Sequence, residues 1–306
     1  MKSSFTVVGL GELLWDMFPE GKQLGGAPAN FAYMTALLGD RGIVASRVGQ
    51  DRLGQEAIWT LKSSGLDTSE IQIDSAHDTG TVQVKVDSKG QPEYTINEDV
   101  AWDHLTWTPE WEALAKSADA VCFGSLAQRS EGSRSTIRKF LQSAGTDVAR
   151  IFDVNLRQSF FSAEVLRVAL LHANIMKVNH EELPRIIEMF GEKFSGEKES
   201  ARWLAREFGI KLVCVTRGHR GSLLVCGEQI DEHAGFTVKV ADTVGAGDAF
   251  TAALAHHWLR KTPLTEINAA ANRMGAWVAS QEGAMPVADE SVLSRIRWGV
   301  ADSAGN

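Results

Sequence analysis

Short apolar runs recur along the chain at Phe5–Leu10, Ile43–Val48, Ala120–Phe123, Ile151–Val154, Ile175–Val178 and Leu212–Thr216, each followed by residues at helical spacing. Such runs predict parallel strands that helices cover on both faces. Thr81–Asp87 and Glu93–Asn97 read differently. Val82, Val84 and Val86 alternate with Gln83 and Lys85, and Asp87-Ser88-Lys89-Gly90 supplies turn residues. This predicts an antiparallel hairpin with one wet face and few core residues, a flap beside the main sheet. Towards the C-terminus, Phe250, Ala253, Leu254 and Trp258 share one helical face, as do Ile267, Ala270, Ala271 and Met274. No linker, repeat or low-complexity tract interrupts the pattern. The fold class is therefore α/β, one domain over 1–306 with a β appendage.

Composition narrows the function. The 306 residues are 44% hydrophobic and 23% charged, which excludes a disordered, collagenous or coiled-coil chain. Lys and Arg number 31 against 39 Asp and Glu, a formal charge of −8. That balance argues against a nonspecific nucleic-acid partner, but leaves a local anion pocket open, because backbone N–H groups supply positive potential unaided. Cys122, Cys214 and Cys226 are odd in number and widely spaced, so buried thiols are expected rather than disulfides or metal ligands. No run approaches the roughly 18 apolar residues of a membrane span, and Glu12 and Asp16 precede any long apolar stretch. A cytoplasmic protein with no membrane partner is the expectation.

Several motifs fail on inspection. Gly9-Leu10-Gly11 follows the first strand, but Leu14 stands where a dinucleotide motif needs its third glycine, and Asp16 with Pro19-Glu20-Gly21 would break the required helix. These glycines instead are expected to relax a strand end so that Glu12 and Asp16 project into a site. Gly191–Lys198 is no phosphate loop, since Glu197 separates glycine from lysine and Glu199 replaces the metal-binding hydroxyl; it reads as a polar loop between helices. His256-His257 point to different faces with no ligand partners, so a metal there is not expected.

Two glycine segments carry more. Gly25-Gly26-Ala27-Pro28-Ala29-Asn30 permits a tight turn into a helix whose first turn holds Asn30, an amide suited to ligand hydroxyls. A plain turn with Asn30 as a local cap is the alternative. Asp242-Thr243-Val244-Gly245-Ala246-Gly247-Asp248-Ala249-Phe250 opens an amphipathic helix with two glycines. Amides at such a start form an anion cradle. A carboxylate beside it repels a merely held anion, but suits a base that deprotonates a nucleophile attacking a bound phosphoryl group. Asn179-His180-Glu181-Glu182 also opens a helix, either as a capping box or as polar groups near a Mg²⁺–phosphate cluster. Thr216-Arg217-Gly218 ends a strand, at the edge where open α/β sheets bind ligands.

Read together, GGAPANFA and DTVGAGDAF resemble the two signatures of the PfkB, or ribokinase-like, carbohydrate kinases, and GELLWDMFPEG with GGAPAN is most similar to the bacterial fructokinase branch. The resemblance implies a three-layer αβα sandwich with a small β lid, formed by roughly 12–22 and 79–97. It also implies a sugar kinase using ATP with Mg²⁺, and a homodimer joined through the lid. Asp248 would be the catalytic base, with the amides of Gly245, Ala246 and Gly247 as the anion hole. Asp16, Gly26 and Asn30 would hold the sugar, and Arg157 in Asp153-Val154-Asn155-Leu156-Arg157 would touch the transferring phosphate, although Val154 replaces the family's usual proline. Asn179 and Glu182 would lie near Mg²⁺ and phosphate, and Thr216, Gly218 and Asn272 where the nucleotide binds. Asp242, Val244 and Gly283 match positions whose carbonyl oxygens hold a monovalent cation such as K⁺. Fructose O6 is the expected acceptor. Ribose, a nucleoside or 2-keto-3-deoxygluconate, and a catalytically silent sensor of the same fold, are the alternatives.

Overall fold

The computed structural model describes residues 2–86 and 92–298. With elements numbered in chain order, seven strands run parallel: β1 (Thr6–Leu10), β4 (Arg41–Gly49), β5 (Ile71–Asp74), β8 (Ala120–Phe123), β9 (Ala149–Asp153), β10 (Ile175–Asn179) and β11 (Leu212–Thr216). Antiparallel β12 (Ser222–Cys226) and β13 (Gln229–His233) extend the β11 edge, giving the order β13-β12-β11-β10-β9-β8-β1-β4-β5. All six predicted parallel strands are present. The short β5 and β13 carry no comparable apolar run; β12 does, in Leu223-Leu224-Val225-Cys226, and was not among the predicted strands.

Both faces of this sheet are covered. Successive strand residues point to opposite sides, so Val8, Leu10, Val213 and Val215 join one core while Val7, Leu212 and Cys214 join the other. The first core takes α3 (Pro109–Ser117), α4 (Glu131–Ser143), α5 (Ala163–His172), α6 (Glu182–Met189) and α7 (Glu197–Phe208). The second takes α1 (Ala27–Leu37), α2 (Arg52–Ser63), α8 (Ala246–Leu259), α9 (Leu264–Ala279) and α10 (Glu290–Trp298). The result is a three-layer αβα sandwich. Of the expected loop Gly191–Lys198, Gly191–Gly196 lies between α6 and α7, while Glu197 and Lys198 open α7.

Helix α1 lies unusually close to the sheet. A Cβ on Gly9 would run into the carbonyl of Pro28, and one on Gly42 into the carbonyl of Ala32. Gly9 therefore serves helix-to-strand approach rather than relaxation of the strand end. The turn out of β1 belongs to Gly11, whose φ of 150° marks it as glycine-specific.

A second sheet has the order β3-β2-β6-β7, from β2 (Leu14–Phe18), β3 (Gly21–Gly25), β6 (Gly80–Val86) and β7 (Pro92–Ile96). The antiparallel β6–β7 hairpin matches the expectation, while its predicted turn at Asp87–Gly90 lies outside the described residues. Its packing does not match. Val82, Val84 and Ile96 are buried, and Val82 and Ile96 belong with Val8, Leu10 and Trp102 to a main core, so the flap is anchored along one face. All three cysteines are free thiols, with Cys122 and Cys214 buried. His256 has a structural partner instead: its Nδ1 lies 2.7 Å from the buried Asp40 carboxylate, which Arg260 also grips through two hydrogen bonds. No helix among the described residues is long and apolar enough to cross a membrane.

Candidate active site

The parallel strands deliver polar residues to one edge of the sheet, their C-terminal ends, where helix-covered sheets bind ligands. Glu12 follows β1 by way of Gly11. Asp153 ends β9, with Asn155 and Gln158 in left-handed conformations (φ 43° and 49°) that turn the chain around the exposed Arg157. Asn179 ends β10 and pairs in register with Thr216 at the end of β11. Asp16 comes from β2 in the smaller sheet, and its carboxylate lies over Gly25, where any Cβ would approach Oδ2 to 2.5 Å.

Helices α1 and α8 close the site. Gly26 (φ 112°) precedes α1, and its lack of a side chain leaves room for the Glu12 carbonyl, which a Cβ would meet at 2.5 Å. Gly245 (φ 77°) precedes α8, packed so that a Cβ would stand 2.6 Å from that of Ala284. Ala246, Gly247 and Asp248 form the first turn of α8, and the Ala246 amide has only a long bond to Thr243 O at 3.3 Å. Asn30 Nδ2 donates to Asp248 Oδ2 at 2.8 Å. That bond joins the two glycine segments across 218 residues of sequence. Asn30 is thus more than a local cap.

The electrostatics are dominated by burial. Burial pushes Asp248 up to about 6, with Asp153 adding repulsion, while the Asn30 hydrogen bond, Lys177 and Arg157 pull the other way. Burial likewise takes Asp16 to about 6 against the attraction of Arg157. It takes Glu12 to about 7, opposed by its own amide, with Asp248 adding repulsion and Arg157 and the Ala27 amide lowering it. Behind α8, Lys177 Nζ donates to Asp153 Oδ1 at 3.0 Å, and Thr251 Oγ1 lies 2.9 Å from Asp153 Oδ2 and 3.0 Å from Gly247 O. Burial disfavours the Lys177 cation, yet Asp153, Glu182 and Asp248 together keep it protonated.

At the other end of the edge, Asn179 and Glu182 form a reciprocal capping box. Asn179 Oδ1 accepts from the Glu181 and Glu182 amides, each at 2.9 Å, and Glu182 Oε2 accepts from Asn179 N at 3.0 Å. Glu182 Oε1 accepts from Leu156 N at 2.8 Å, so both oxygens are engaged. Thr216 O accepts from His180 N, and Gly218 (φ 60°) turns the chain beyond it. Asn272 is buried, with Nδ2 committed to Ser222 and Asn268. Asp242 ties two loops together: Oδ1 accepts from Val244 N at 3.0 Å and Oδ2 from Gly283 N at 3.3 Å.

The structure thus gathers Asp16, Gly26, Asn30, Arg157, Asp248 and the α8 amides at one end, and Asn179, Glu182, Thr216 and Gly218 along the neighbouring strand ends. Sequence reasoning pointed Glu12 into a site without giving it a role, and did not assign Asp153 or Lys177. A lysine inside an apolar strand run, Ile175-Met176-Lys177-Val178, was the available signal, because a lysine is almost never fully buried unless paired.

A family model described as pfkB family carbohydrate kinase matches residues 16–290. The chain is 32% identical to a fructokinase of Escherichia coli over 90% of this chain and 94% of that one. It is 31% identical to a putative sugar kinase of Pyrococcus horikoshii over 81% of each; the crystal structure of that sugar kinase superposes with a TM-score of 0.79 over 92% of this chain and 93% of the other. The crystal structure of a fructokinase from Vibrio cholerae, in a form with bound fructose, ADP and calcium ion, superposes with a TM-score of 0.77 at 26% identity, covering 95% and 96%.

Proposed function

The chain belongs to the pfkB family of carbohydrate kinases, and from that membership we propose that it transfers the γ-phosphoryl group of ATP to O6 of D-fructose, with Asp248 as the general base. The observation that carries the reading is the Asn30–Asp248 hydrogen bond, which puts a buried carboxylate of raised pKa in the first turn of α8 beside an amide fit to hold a hydroxyl. Fructokinases at about 32% identity over most of the chain support the choice of sugar.

In this reading Asp16, Gly26 and Asn30 bind sugar hydroxyls and present one of them to Asp248. A base titrating near 6 is largely ionised at neutral pH and still basic enough to take a proton as the hydroxyl attacks. The amides of Gly245, Ala246 and Gly247, aided by the positive end of α8, meet charge on the transferring phosphoryl oxygens, and Arg157 approaches from the exposed side. Asn179, Thr216, Gly218 and Asn272 line the nucleotide end. Mg²⁺ carried with ATP would neutralise phosphate charge. Glu182, whose two oxygens already accept amides, fits contact with it through water rather than direct ligation. The loops that Asp242 holds together fit a monovalent cation on the Asp242, Val244 and Gly283 carbonyls. The smaller sheet serves as a lid over the sugar and as the contact of a homodimer.

The test is ADP release with fructose, ribose, adenosine, glucose and 2-keto-3-deoxygluconate. The highest kcat/KM is expected with fructose. A higher value for another acceptor overturns the choice of sugar, and no turnover with any of them overturns the kinase.

A further inference from the structure

Glu12 is only 6% exposed, and its Oε2 has no hydrogen-bond partner. Asn30, 4% exposed, likewise has an unpartnered Oδ1. The amide orientation of Asn30 follows from chemistry: the Asp248 carboxylate accepts only, so Nδ2 must face it and Oδ1 faces away. Buried polar atoms without partners are rare and costly, and two beside one site call for a ligand that satisfies both. Both are acceptors. The complementary ligand therefore presents donors, and adjacent hydroxyls are the simplest pair.

We propose that Glu12 is a further sugar-binding residue of this site and that, with Asp16 and Asp248, it selects neutral polyols against sugar acids. The proposal rests on the kinase reading above and narrows its substrate class. Glu12 reaches the sugar end because Gly11 turns the chain sharply out of β1 and Gly26 leaves room for the Glu12 backbone at the start of α1. Three carboxyl groups then face this space, with Arg157 as the cation acting on all three. A polyol supplies protons to the waiting oxygens. A sugar acid brings a further negative charge to carboxyl groups that burial already makes costly to ionise, and its carboxylate has no donor, so it meets repulsion and leaves an acceptor unpaired. Both effects discriminate in the same direction, one by lost pairing and one by like charge.

Glu12→Gln keeps the shape of the side chain, removes its charge and offers a donor where an acceptor stood. Binding of fructose without ATP is measured by calorimetry on the full-length protein, and kcat/KM by ADP release with fructose and with 2-keto-3-deoxygluconate. The expected result is fructose binding weakened at least tenfold, an unchanged KM for ATP, and a preference for fructose over the acid that narrows at least tenfold. Glu12→Asp, which keeps the charge but shortens the reach, should weaken fructose binding while retaining the rejection of the acid. Fructose affinity and preference unchanged in both folded variants would overturn the proposal. Because sugar binding is read without ATP, failure of phosphoryl transfer in the wild type counts against the kinase reading alone.

Discussion

Lys177 Nζ lies 3.0 Å from Asp153 Oδ1, with both side chains almost closed to solvent directly behind the first turn of α8. A Cβ built on Gly247 would meet the same Nζ at 3.0 Å, so the pair backs onto the backbone of that turn. The two charges act on Asp248 in opposite senses: Asp153 raises its pKa and Lys177 lowers it. Lys177→Met should therefore raise the pKa of Asp248 and, with Asp248 as the proposed base, move the acidic limb of the kcat/KM profile to higher pH. Adding Asp153→Asn should bring the limb back down and spare the fold an unpaired buried carboxylate. Identical pH–rate profiles in wild type and both variants would detach the pair from the reaction.

Asp248→Asn should fold, since the amide still accepts from Asn30, and should bind ATP normally. Its kcat should fall by about 10²–10⁴, the usual loss of a general base. Turnover near the wild-type rate would remove Asp248 from proton transfer.

Asp16→Ala should raise KM for the sugar by roughly one to three powers of ten, from one or two charge-assisted hydrogen bonds lost. KM for ATP should hardly move, because Asp16 belongs to the smaller sheet and not to the Thr216–Gly218 strand end. In the wild type, sugar affinity should weaken as pH falls through about 6, where Asp16 gains its proton. Sugar titrations at pH 5 and pH 8 would check this.

Asp40 sets an acid limit on stability. Burial alone would raise its pKa, but hydrogen bonds from His256, Arg260 and the Phe5 amide hold it at about 2. A carboxylate with a depressed folded-state pKa stabilises fully above its unfolded value and loses that contribution as pH falls through the folded value. The contribution, about 2 kcal/mol, should be complete above about pH 4 and gone near pH 2. Asp40→Asn should thus destabilise the protein at pH 7 and reduce the stability it loses between pH 4 and 2. Urea unfolding across that range reads both.

What could be read in advance divides along physical lines. The six parallel strands were legible because strands buried on both faces must be apolar throughout. The two glycine segments were legible because tight approach and positive φ leave few other residues possible. The partnership between Asn30 and Asp248 was not written in either segment; it depends on α1 and α8 packing side by side. Glu12 was expected beside Asp16 at the site, but not its near-complete burial, since burial of a single polar side chain leaves no periodic trace. Asp40, His256 and Arg260 were invisible for a related reason, being drawn together from the turn after α1 and the C-terminal end of α8. The anchoring of the flap was missed because alternation marks which residues of a strand turn inward but not how large a core receives them.

The backbone-to-backbone contact of α1 with β1 and β4 has a consequence for how such a site can change. Where helices rest on side chains, resizing a few of them shifts the helix and reshapes whatever it carries. Here the carbonyls of Pro28 and Ala32 press on Gly9 and Gly42, and no side chain lies between to be enlarged or trimmed. The distance from β1 to the first turn of α1 is therefore set by van der Waals contact between backbones. Glu12 and Asn30 hang from the two sides of that fixed gap, so new acceptors should be won by exchanging the groups at its rim, leaving its width untouched.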